Sequence, residues 1–181
     1  MKEELRRKYL NIRNNIKEKN IKSKIINNKV ITNQNILDCE LVLIYVSCGS
    51  EVNTIKLIEH FLKYKKVAVP KIINEEMNFY YIKSLDELKT GKFNILEPIT
   101  NNIVTDYKSC ASITPGICFS KTLYRIGYGK GFYDKFYEKH KNIYKIGLSY
   151  DECIVDNIYN NNYDIALDEI ITPTKNIKSS I

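Results

Sequence analysis

The chain has 181 residues, 44% of them hydrophobic, and carries 28 Lys or Arg against 21 Asp or Glu, a formal net charge of +7. This composition predicts one soluble domain over residues 1–181, and no apolar run approaches the roughly 18 residues that a membrane span needs. Five cysteines without a CxxC pair and only two histidines argue against a disulfide scaffold or a zinc cluster, and favour a cytoplasmic protein with reduced thiols.

The positive charge is scattered along the chain and follows no nucleic-acid-binding motif. We therefore expect a generally basic surface or a site for an anionic small ligand. A basic nucleic-acid-binding protein is the alternative that the charge alone leaves open.

The first predicted element is a helix that covers residues 1 to about 20. Its apolar residues recur at helical spacing, at Leu5, Tyr9, Ile12 and Ile16. Lys2 and Arg6 lie one turn apart, so the helix presents both cations on one side, where they could bind a polyphosphate together. A solvated, charged helix face is the alternative interpretation.

A β-α-β unit is predicted next. Residues 40–48 form an apolar, β-branched run typical of a strand, a helix is expected from its N-cap Thr54 to about Lys63, and residues 66–72 predict a strand that ends near Pro70. This order is typical of parallel sheets, so we expect an α/β fold with three αβα layers around a central, mostly parallel sheet. Ligands of such sheets bind at the carboxyl ends of the strands.

Short strands dominate the predictions for the rest of the chain. In order, these are a strand at 79–82, a helical turn at 85–88, a connection at 91–98, a strand from 109 to 119 that ends in a loop, a strand at 142–150, an Asn-rich loop at 156–163, and a strand at 169–172 that closes the sheet before a mobile tail from Pro173.

A Gly-rich stretch, Arg125–Asp134, has the most distinctive sequence in the chain. Three of the seven glycines stand here on alternate positions, and aromatic residues on one face of a predicted helix to about residue 141 follow them. A strand, a Gly-rich turn and a helix N-terminus form an anion site, because free amides and the helix dipole face the turn. The spacing GxGxG matches neither the Walker loop nor GxGxxG. A flexible surface turn with a docked aromatic helix is therefore an alternative.

Read as a whole, the stretch RIGYGKGFYD resembles the signature of 5-formyltetrahydrofolate cyclo-ligases, also called methenyltetrahydrofolate synthetases. Further segments resemble that family in the same order along nearly the whole chain: KEELR at 2–6, SEVNT at 50–54, NILEP at 94–98, TPGICF at 114–119, IGL at 146–148, and the run from Asp164 to Thr172.

The resemblance implies an ATP- and Mg²⁺-dependent ligase of folate one-carbon metabolism. In the family reaction, ATP phosphorylates the formyl oxygen of 5-formyltetrahydrofolate, and the neighbouring amine of the same folate attacks the activated carbon. The products are 5,10-methenyltetrahydrofolate, ADP and phosphate. We accordingly expect a monomer that binds this folate, including polyglutamylated forms, and that has neither a nucleic-acid nor a membrane partner.

The resemblance also implies roles for individual residues. The ATP-binding residues are Lys2, Glu3, Glu4, Leu5, Arg6, Arg125, Ile126, Gly127, Tyr128, Gly129, Lys130, Gly131, Phe132 and Tyr133. The folate-binding residues are Val46, Glu51, Tyr128, Gly129, Lys130, Gly131 and Phe132. Arg125 and Lys130 are the catalytic cations, and Asp134 and Asp168 are the Mg²⁺ ligands.

Several of these residues also have a structural interpretation. Glu51 could be a solvated loop carboxylate, Val46 and Phe132 core residues, and Asp134 a carboxylate that complements a helix dipole. The family pattern is broken at Ser120, Leu123, Cys153, Tyr159 and Tyr163. A folate-binding relative that has lost catalysis is therefore a second hypothesis, and an α/β enzyme that acts on phosphosugars or CoA is a third.

Overall fold

A computed structural model describes residues 1–180. The helices of this part of the chain are α1 (Lys2–Asn14), α2 (Lys19–Ile31), α3 (Gln34–Leu37), α4 (Ile55–Leu62) and α5 (Phe132–Lys139). Its strands are β1 (Leu41–Ile44), β2 (Lys66–Ile73), β3 (Glu76–Ile82), β4 (Leu88–Thr90), β5 (Leu96–Pro98), β6 (Cys110–Thr114), β7 (Cys118–Ser120), β8 (Arg125–Ile126), β9 (Tyr144–Leu148), β10 (Ile154–Val155), β11 (Glu169–Ile171) and β12 (Asn176–Lys178).

The central sheet has seven strands in the order β12-β11-β9-β6-β1-β2-β3. The five inner strands are parallel, and the edge strands β3 and β12 are antiparallel to their neighbours. Strand β1 is buried along its whole length, which explains its unbroken apolar sequence LVLI. The predicted, mostly parallel sheet is confirmed.

Helices cover both faces of this sheet, as the three-layer prediction requires. On one face, α2, α3 and α4 pack against alternate strand residues such as Val42 and Ile113. On the other face, Phe136 and Tyr137 of α5 pack against the neighbouring strand residues, of which Leu43 is one. No helix within residues 1–180 is long and apolar enough to cross a bilayer.

Helix α1 lies outside these layers and packs on a small sheet with the order β10-β7-β8. Its predicted apolar stripe is confirmed: Leu5, Tyr9, Ile12 and Ile16 contact a buried cluster that contains Cys118, Ile126 and Cys153. The helix ends at Asn14 rather than near residue 20. This packing brings the N-terminus of the chain beside β8, the strand that leads into the Gly-rich stretch.

One predicted strand is divided in two. Residues 109–119 form β6 in the central sheet and β7 in the small sheet, with Pro115 and Gly116 between them. Pro115 has no backbone N–H for a ladder, and a Cβ on Gly116 would lie 2.6 Å from the ring of Phe119. The strand that enters the Gly-rich stretch is therefore the short β8 and not the long strand that the sequence predicted.

The predicted strand at 66–72 is confirmed as β2, but it continues through Pro70 to Ile73 instead of ending near Pro70. Its pairing with β1 ends at Ala68, before the proline, and only β3 pairs with it beyond that point. Two further expectations about strands are wrong. The predicted connection at 91–98 contains one strand of the β4–β5 hairpin. The tail forms β12, so β11 is not the edge of the sheet.

Thr54 occupies the predicted N-cap position of α4 but makes no capping hydrogen bond. Its hydroxyl donates to the backbone O of Tyr45 at 2.7 Å and accepts from the backbone N of Ser47 at 3.1 Å. The side chain of Asn53 accepts from the backbone N of Ile55 instead. Thr54 thus fixes the loop after β1, which carries Glu51.

Candidate active site

The Gly-rich stretch contains the short strand β8 before its turn, and the turn is followed by α5. Gly129 and Gly131 have φ angles of +93° and +67°, a conformation that favours glycine, and Gly131 is the N-cap of α5. The free amides of the first turn of α5 lie next to this loop. A helix N-terminus next to a Gly-rich turn can bind an anion, and phosphate binding at this loop stays a prediction.

Helix α1 docks directly on this loop. Nε of Arg6 donates to the backbone O of Gly127 at 2.7 Å, across 121 positions of sequence. A Cβ on Gly129 would lie 3.4 Å from Cζ of Arg6, so the loop backbone and the guanidinium are in contact. Arg6 also forms an ion pair with Glu3, and Lys2 forms one with Asp164. The two segments expected to bind ATP therefore lie together.

The two cations expected to be catalytic have different surroundings. Arg125 is buried, donates from Nη1 to Oδ1 of Asp134 at 3.0 Å, and lies over the ring of Tyr133 at 5.5 Å. Lys130 is exposed and forms no ion pair within residues 1–180. Arg125 therefore braces the loop against α5, whereas the charge of Lys130 is available to an anion.

Both expected metal ligands accept hydrogen bonds within the protein. Oδ1 of Asp134 accepts from Arg125 and from the backbone N of Ile165 at 3.0 Å. Oδ2 of Asp168 accepts from the backbone N of Lys145 at 2.7 Å and forms an ion pair with its Nζ at 2.9 Å. Among residues 1–180, no group of three or more His, Cys, Asp or Glu could hold a metal ion. Metal binding by these two aspartates stays a prediction.

Glu51 follows β1 and its carboxylate is held on two sides. Oε2 accepts from the backbone N of Cys48 at 2.9 Å, and Oε1 faces the hydroxyl of Tyr128 at 3.4 Å. Burial raises the pKa of the Glu51 carboxyl, and the Cys48 amide and the charge of Arg13 oppose that rise. Glu51 is thus a constrained, partly desolvated carboxylate rather than a solvated one. Tyr128, in the Gly-rich loop, is 53% exposed.

The sequence analysis did not single out Arg13. Its side chain is 3% exposed and makes hydrogen bonds to Ser50 Oγ at 2.9 Å, to Gly116 O at 2.9 Å and to the Tyr128 hydroxyl at 2.6 Å. One sequence signal could have identified it, because Arg13 follows Tyr9 by one helical turn and stands within the apolar stripe of α1. An arginine in such a stripe needs buried partners.

Arg13 and Glu51 line a cavity of about 10 Å³, the size of one water molecule. The other residues that line it are Tyr45, Val52, Gly116, Ile117, Leu148, Ser149, Tyr150 and Cys153. This cavity is too small for a pterin ring.

The remaining expected contacts are partly in the core. Val46 is 4% exposed and belongs to the core on the α4 side of the sheet. Phe132 packs against the core on the α5 side while staying partly exposed. The hydroxyl of Tyr133 is buried and has no hydrogen-bond partner within residues 1–180. Burial raises its pKa well above the usual value. A ligand bound next to the loop could supply the missing hydrogen-bond partner of the Tyr133 hydroxyl.

The residues that break the family pattern have different surroundings. Leu123 has a φ of +71°, which a leucine rarely adopts, and Ser120 is buried and bonded to Thr122. Cys153 is buried beneath α1, whereas Tyr159 and Tyr163 are 57% and 82% exposed. The contact between Arg6 and Gly127 involves none of these five residues.

The fold and this arrangement define the class of protein: a three-layer α/β protein whose N-terminal helix docks on a Gly-rich strand–turn–helix segment. The sequence profile of the 5-formyltetrahydrofolate cyclo-ligase family matches residues 1–173. The chain belongs to that family.

Individual relatives agree with this assignment. A probable 5-formyltetrahydrofolate cyclo-ligase of Schizosaccharomyces pombe is 32% identical over 160 residues, which cover 78% of each chain. The 5-formyltetrahydrofolate cyclo-ligase of Escherichia coli is 25% identical over 142 residues, 74% of this chain and 78% of that protein. The enzymatic class that the sequence predicted is confirmed.

Two solved structures share the fold. The 5,10-methenyltetrahydrofolate synthetase of Aquifex aeolicus superposes with a TM-score of 0.87 at 27% identity, over 99% of this chain and 93% of that one. The 5,10-methenyltetrahydrofolate synthetase of Mycoplasma pneumoniae superposes with a TM-score of 0.76 at 24% identity, over 95% and 98%. The second likeness shows the fold alone. The predicted α/β architecture is thus confirmed.

Proposed function

We propose that the protein converts 5-formyltetrahydrofolate and ATP to 5,10-methenyltetrahydrofolate, ADP and phosphate, in the presence of Mg²⁺. The observation that carries the proposal is the hydrogen bond from Arg6 to the backbone of Gly127. It joins the N-terminal helix to the Gly-rich loop, and the hydroxyl of Tyr128, next in that loop, faces the Glu51 carboxylate. A nucleotide and a folate bound at these groups would lie side by side.

In this proposal the nucleotide phosphates bind where α1 meets the loop. Arg6 and Lys130 supply positive charge, and the loop and the first turn of α5 supply backbone amides. Lys2 is already paired with Asp164, so it can bind a phosphate only if that carboxylate is displaced or shares its ammonium. Arg125, which forms an ion pair with Asp134, holds the conformation of the loop during phosphoryl transfer.

The carboxylates of Asp134 and Asp168 have the right chemistry to bind a magnesium ion. Asp134 and Asp168 each use one carboxylate oxygen for protein contacts, and the other accepts no hydrogen bond within residues 1–180. Mg²⁺ in nucleotide sites is commonly held by one or two carboxylates together with phosphates and water. The ion, when bound, would neutralise the charge that develops on the transferred phosphoryl group. Asp134 would then serve both the metal and Arg125.

The folate would be oriented by Glu51, whose carboxylate accepts hydrogen bonds from the donor edge of a pterin. The Cys48 amide and the Tyr128 hydroxyl hold that carboxylate in one position. Ring closure joins two groups of the same folate, so no protein nucleophile is required. The protein contributes by positioning the formyl oxygen against the nucleotide and by stabilising charge there.

Further properties belong to the same proposal. We infer that the protein works as a monomer in the cytoplasm and accepts polyglutamylated folate. The five free cysteines suit a reducing compartment, and the net charge of +7 suits an anionic substrate tail.

A turnover assay tests the proposal. Purified protein is mixed with 5-formyltetrahydrofolate, Mg²⁺ and ATP, and the near-ultraviolet absorbance of methenyltetrahydrofolate is followed, with ATP omitted as control. The proposal predicts ATP-dependent growth of that band. A flat trace from folded protein that still binds the folate would leave a binding protein without catalysis, and failure of binding as well would reject the function.

A matched pair of variants then tests the nucleotide site. Lys130→Met removes the available cation of the loop, and Lys135→Met removes an exposed cation from α5 just beyond it. We expect the first to raise the KM for ATP about tenfold, the effect of one charge-assisted hydrogen bond, and the second to leave it near the wild-type value. Equal behaviour of the two variants would remove Lys130 from the site.

A further inference from the structure

Arg13 connects three parts of the chain through one buried side chain. It leaves α1, donates from Nε to Ser50 Oγ in the loop after β1, and donates from Nη1 to the carbonyl of Gly116 after β6. From Nη2 it donates to the hydroxyl of Tyr128 in the Gly-rich loop at 2.6 Å. All three nitrogens of the guanidinium are therefore used, in directions that its planar fork fixes.

The partners of Arg13 place it next to Glu51 from two sides. Ser50 is the residue before Glu51 in the chain, and the Tyr128 hydroxyl that accepts from Arg13 faces Oε1 of Glu51 at 3.4 Å. The guanidinium also lies over the Tyr128 ring, 5.9 Å from its centroid. A shift of Arg13 would thus release both the backbone that carries Glu51 and the side chain that faces its carboxylate.

We propose that Arg13 is a positioning residue for the folate: one guanidinium fixes the Glu51 carboxylate and the Tyr128 side chain, and it joins the folate side of the site to the Gly-rich loop. Arg13 touches neither substrate and acts through these two residues. The inference rests on the proposed function, since Glu51 is taken to bind the pterin. It deepens that function by adding a residue that lies outside the short segments quoted above for the family resemblance.

The electrostatics of the site agree with this role. Burial raises the pKa of Glu51, and the positive charge of Arg13 acts against that rise. The other titratable groups around Glu51 have raised pKa values, so they are uncharged near neutral pH. These groups are Cys48 from the loop that carries Glu51, Tyr45 from the β1 side, Tyr128 from the Gly-rich loop, Tyr133 from α5 and Tyr150 after β9. Loss of the Arg13 charge should therefore raise the pKa of Glu51 further.

Two substitutions separate the charge of Arg13 from its shape. Arg13→Met removes both, so we expect the KM for 5-formyltetrahydrofolate to rise about tenfold or more. We also expect the fall of kcat/KM on acidification to begin at higher pH, because Glu51 then protonates earlier. Arg13→Lys keeps the charge and loses the fork, so it should raise that KM while the acid limb stays near its wild-type position.

Two more variants serve as controls. Arg7→Met removes an exposed arginine from the same helix and should leave both the folate KM and the acid limb unchanged. Tyr128→Phe removes only the hydroxyl link at a half-exposed side chain, so it should fold even if Arg13→Met does not. We expect it to raise the folate KM and to move the acid limb in the same direction as Arg13→Met.

The outcomes distinguish positioning from simple anchoring of α1. A structural anchor would lower the melting temperature and raise the KM for ATP and for folate together, with the acid limb in place, and this result would overturn the proposal. Wild-type folate KM and an unmoved acid limb in both Arg13→Met and Tyr128→Phe would overturn it as well.

A titration without substrate separates this inference from the function on which it rests. The Glu51 side chain is labelled with ¹³C, and its carboxyl resonance is followed against pH in wild type, Arg13→Met and Arg7→Met. A higher pKa in Arg13→Met alone supports the coupling, and equal pKa values refute it. If the titrations show this coupling but the wild-type protein neither binds nor converts the folate, the proposed function is refuted and the coupling between Arg13 and Glu51 still holds.

Discussion

Replacing Gly129 by alanine should weaken the nucleotide site more than it weakens the fold. Gly129 has a φ of +93°, and a Cβ there would lie 3.4 Å from Cζ of Arg6, an ordinary contact distance. The cost therefore arises from the backbone conformation, roughly 1–3 kcal/mol for a residue with a Cβ. If the loop relaxes to avoid this strain, the carbonyl of Gly127 moves away from Arg6.

The same free energy predicts the size of the kinetic effect. A loop that must return to the strained conformation to bind ATP would lose affinity by a factor of about 5 to 150. We expect the KM for ATP in Gly129→Ala to rise within this range, while the KM for folate rises less. Steady-state kinetics with each substrate varied in turn measures both values.

Other glycines provide controls for this prediction. Gly49 also has a positive φ, +55°, with no atom within 4 Å of a built Cβ, but it lies outside the loop. Gly49→Ala should therefore cost similar stability without the rise in the KM for ATP. At Gly127 φ is not positive and the space is open, so its alanine variant should have a smaller effect than that of Gly129. The reasoning fails if Gly129→Ala has wild-type kinetics, or if Gly127→Ala is equally impaired.

Three further predictions concern stability. Burial raises the pKa of Glu51 above its unfolded value, so ionisation of this carboxyl destabilises the fold as pH rises. In thermal scans from pH 4 to pH 8, Glu51→Gln should therefore have a higher melting temperature than wild type at pH 8, and the difference should fade toward pH 4. The carboxylate of Glu169 is fully buried and accepts hydrogen bonds from Asn and Tyr side chains, and Glu169→Gln removes one of its two acceptor oxygens. This substitution should lower the free energy of unfolding in urea by about 1–3 kcal/mol. Glu138→Gln, at an exposed position, should leave that free energy unchanged. Tyr137→Phe deletes a buried hydroxyl that bonds two strand hydroxyls at 2.7 and 2.6 Å, and should lower the same free energy by about 1–3 kcal/mol with the KM for ATP unchanged.

Local patterns in the sequence were sufficient for several elements. The apolar stripe of α1, the β-branched run of β1 and the alternate glycines before α5 each express a physical requirement that neighbouring residues meet by themselves. The structure contains all three, at Lys2–Asn14, Leu41–Ile44 and Gly127–Gly131.

Other elements depend on distant partners and left a weaker local signal. Helix α2 was not predicted, because its exposed and buried apolar residues do not form one stripe: Ile21 is 57% exposed while Ile26 is fully buried. Strand β12 has only three residues, Asn176–Lys178, too few for a clear local pattern, and it pairs with the edge of β11. The apolar run at 109–119 is divided at Pro115 and Gly116, and its two parts belong to different sheets.

The sequence by itself determined the family and the α/β class, since helix periodicity, strand patterns and motif order are local properties of the chain. Only the tertiary structure decided which charges are available at the site. Arg125 and Asp134 neutralise each other, Lys130 stays unpaired within residues 1–180, and Arg13 is buried between Ser50 and Tyr128. The physical reason is that pairing and desolvation depend on residues brought together from positions far apart in the chain, and no spacing along the sequence encodes them.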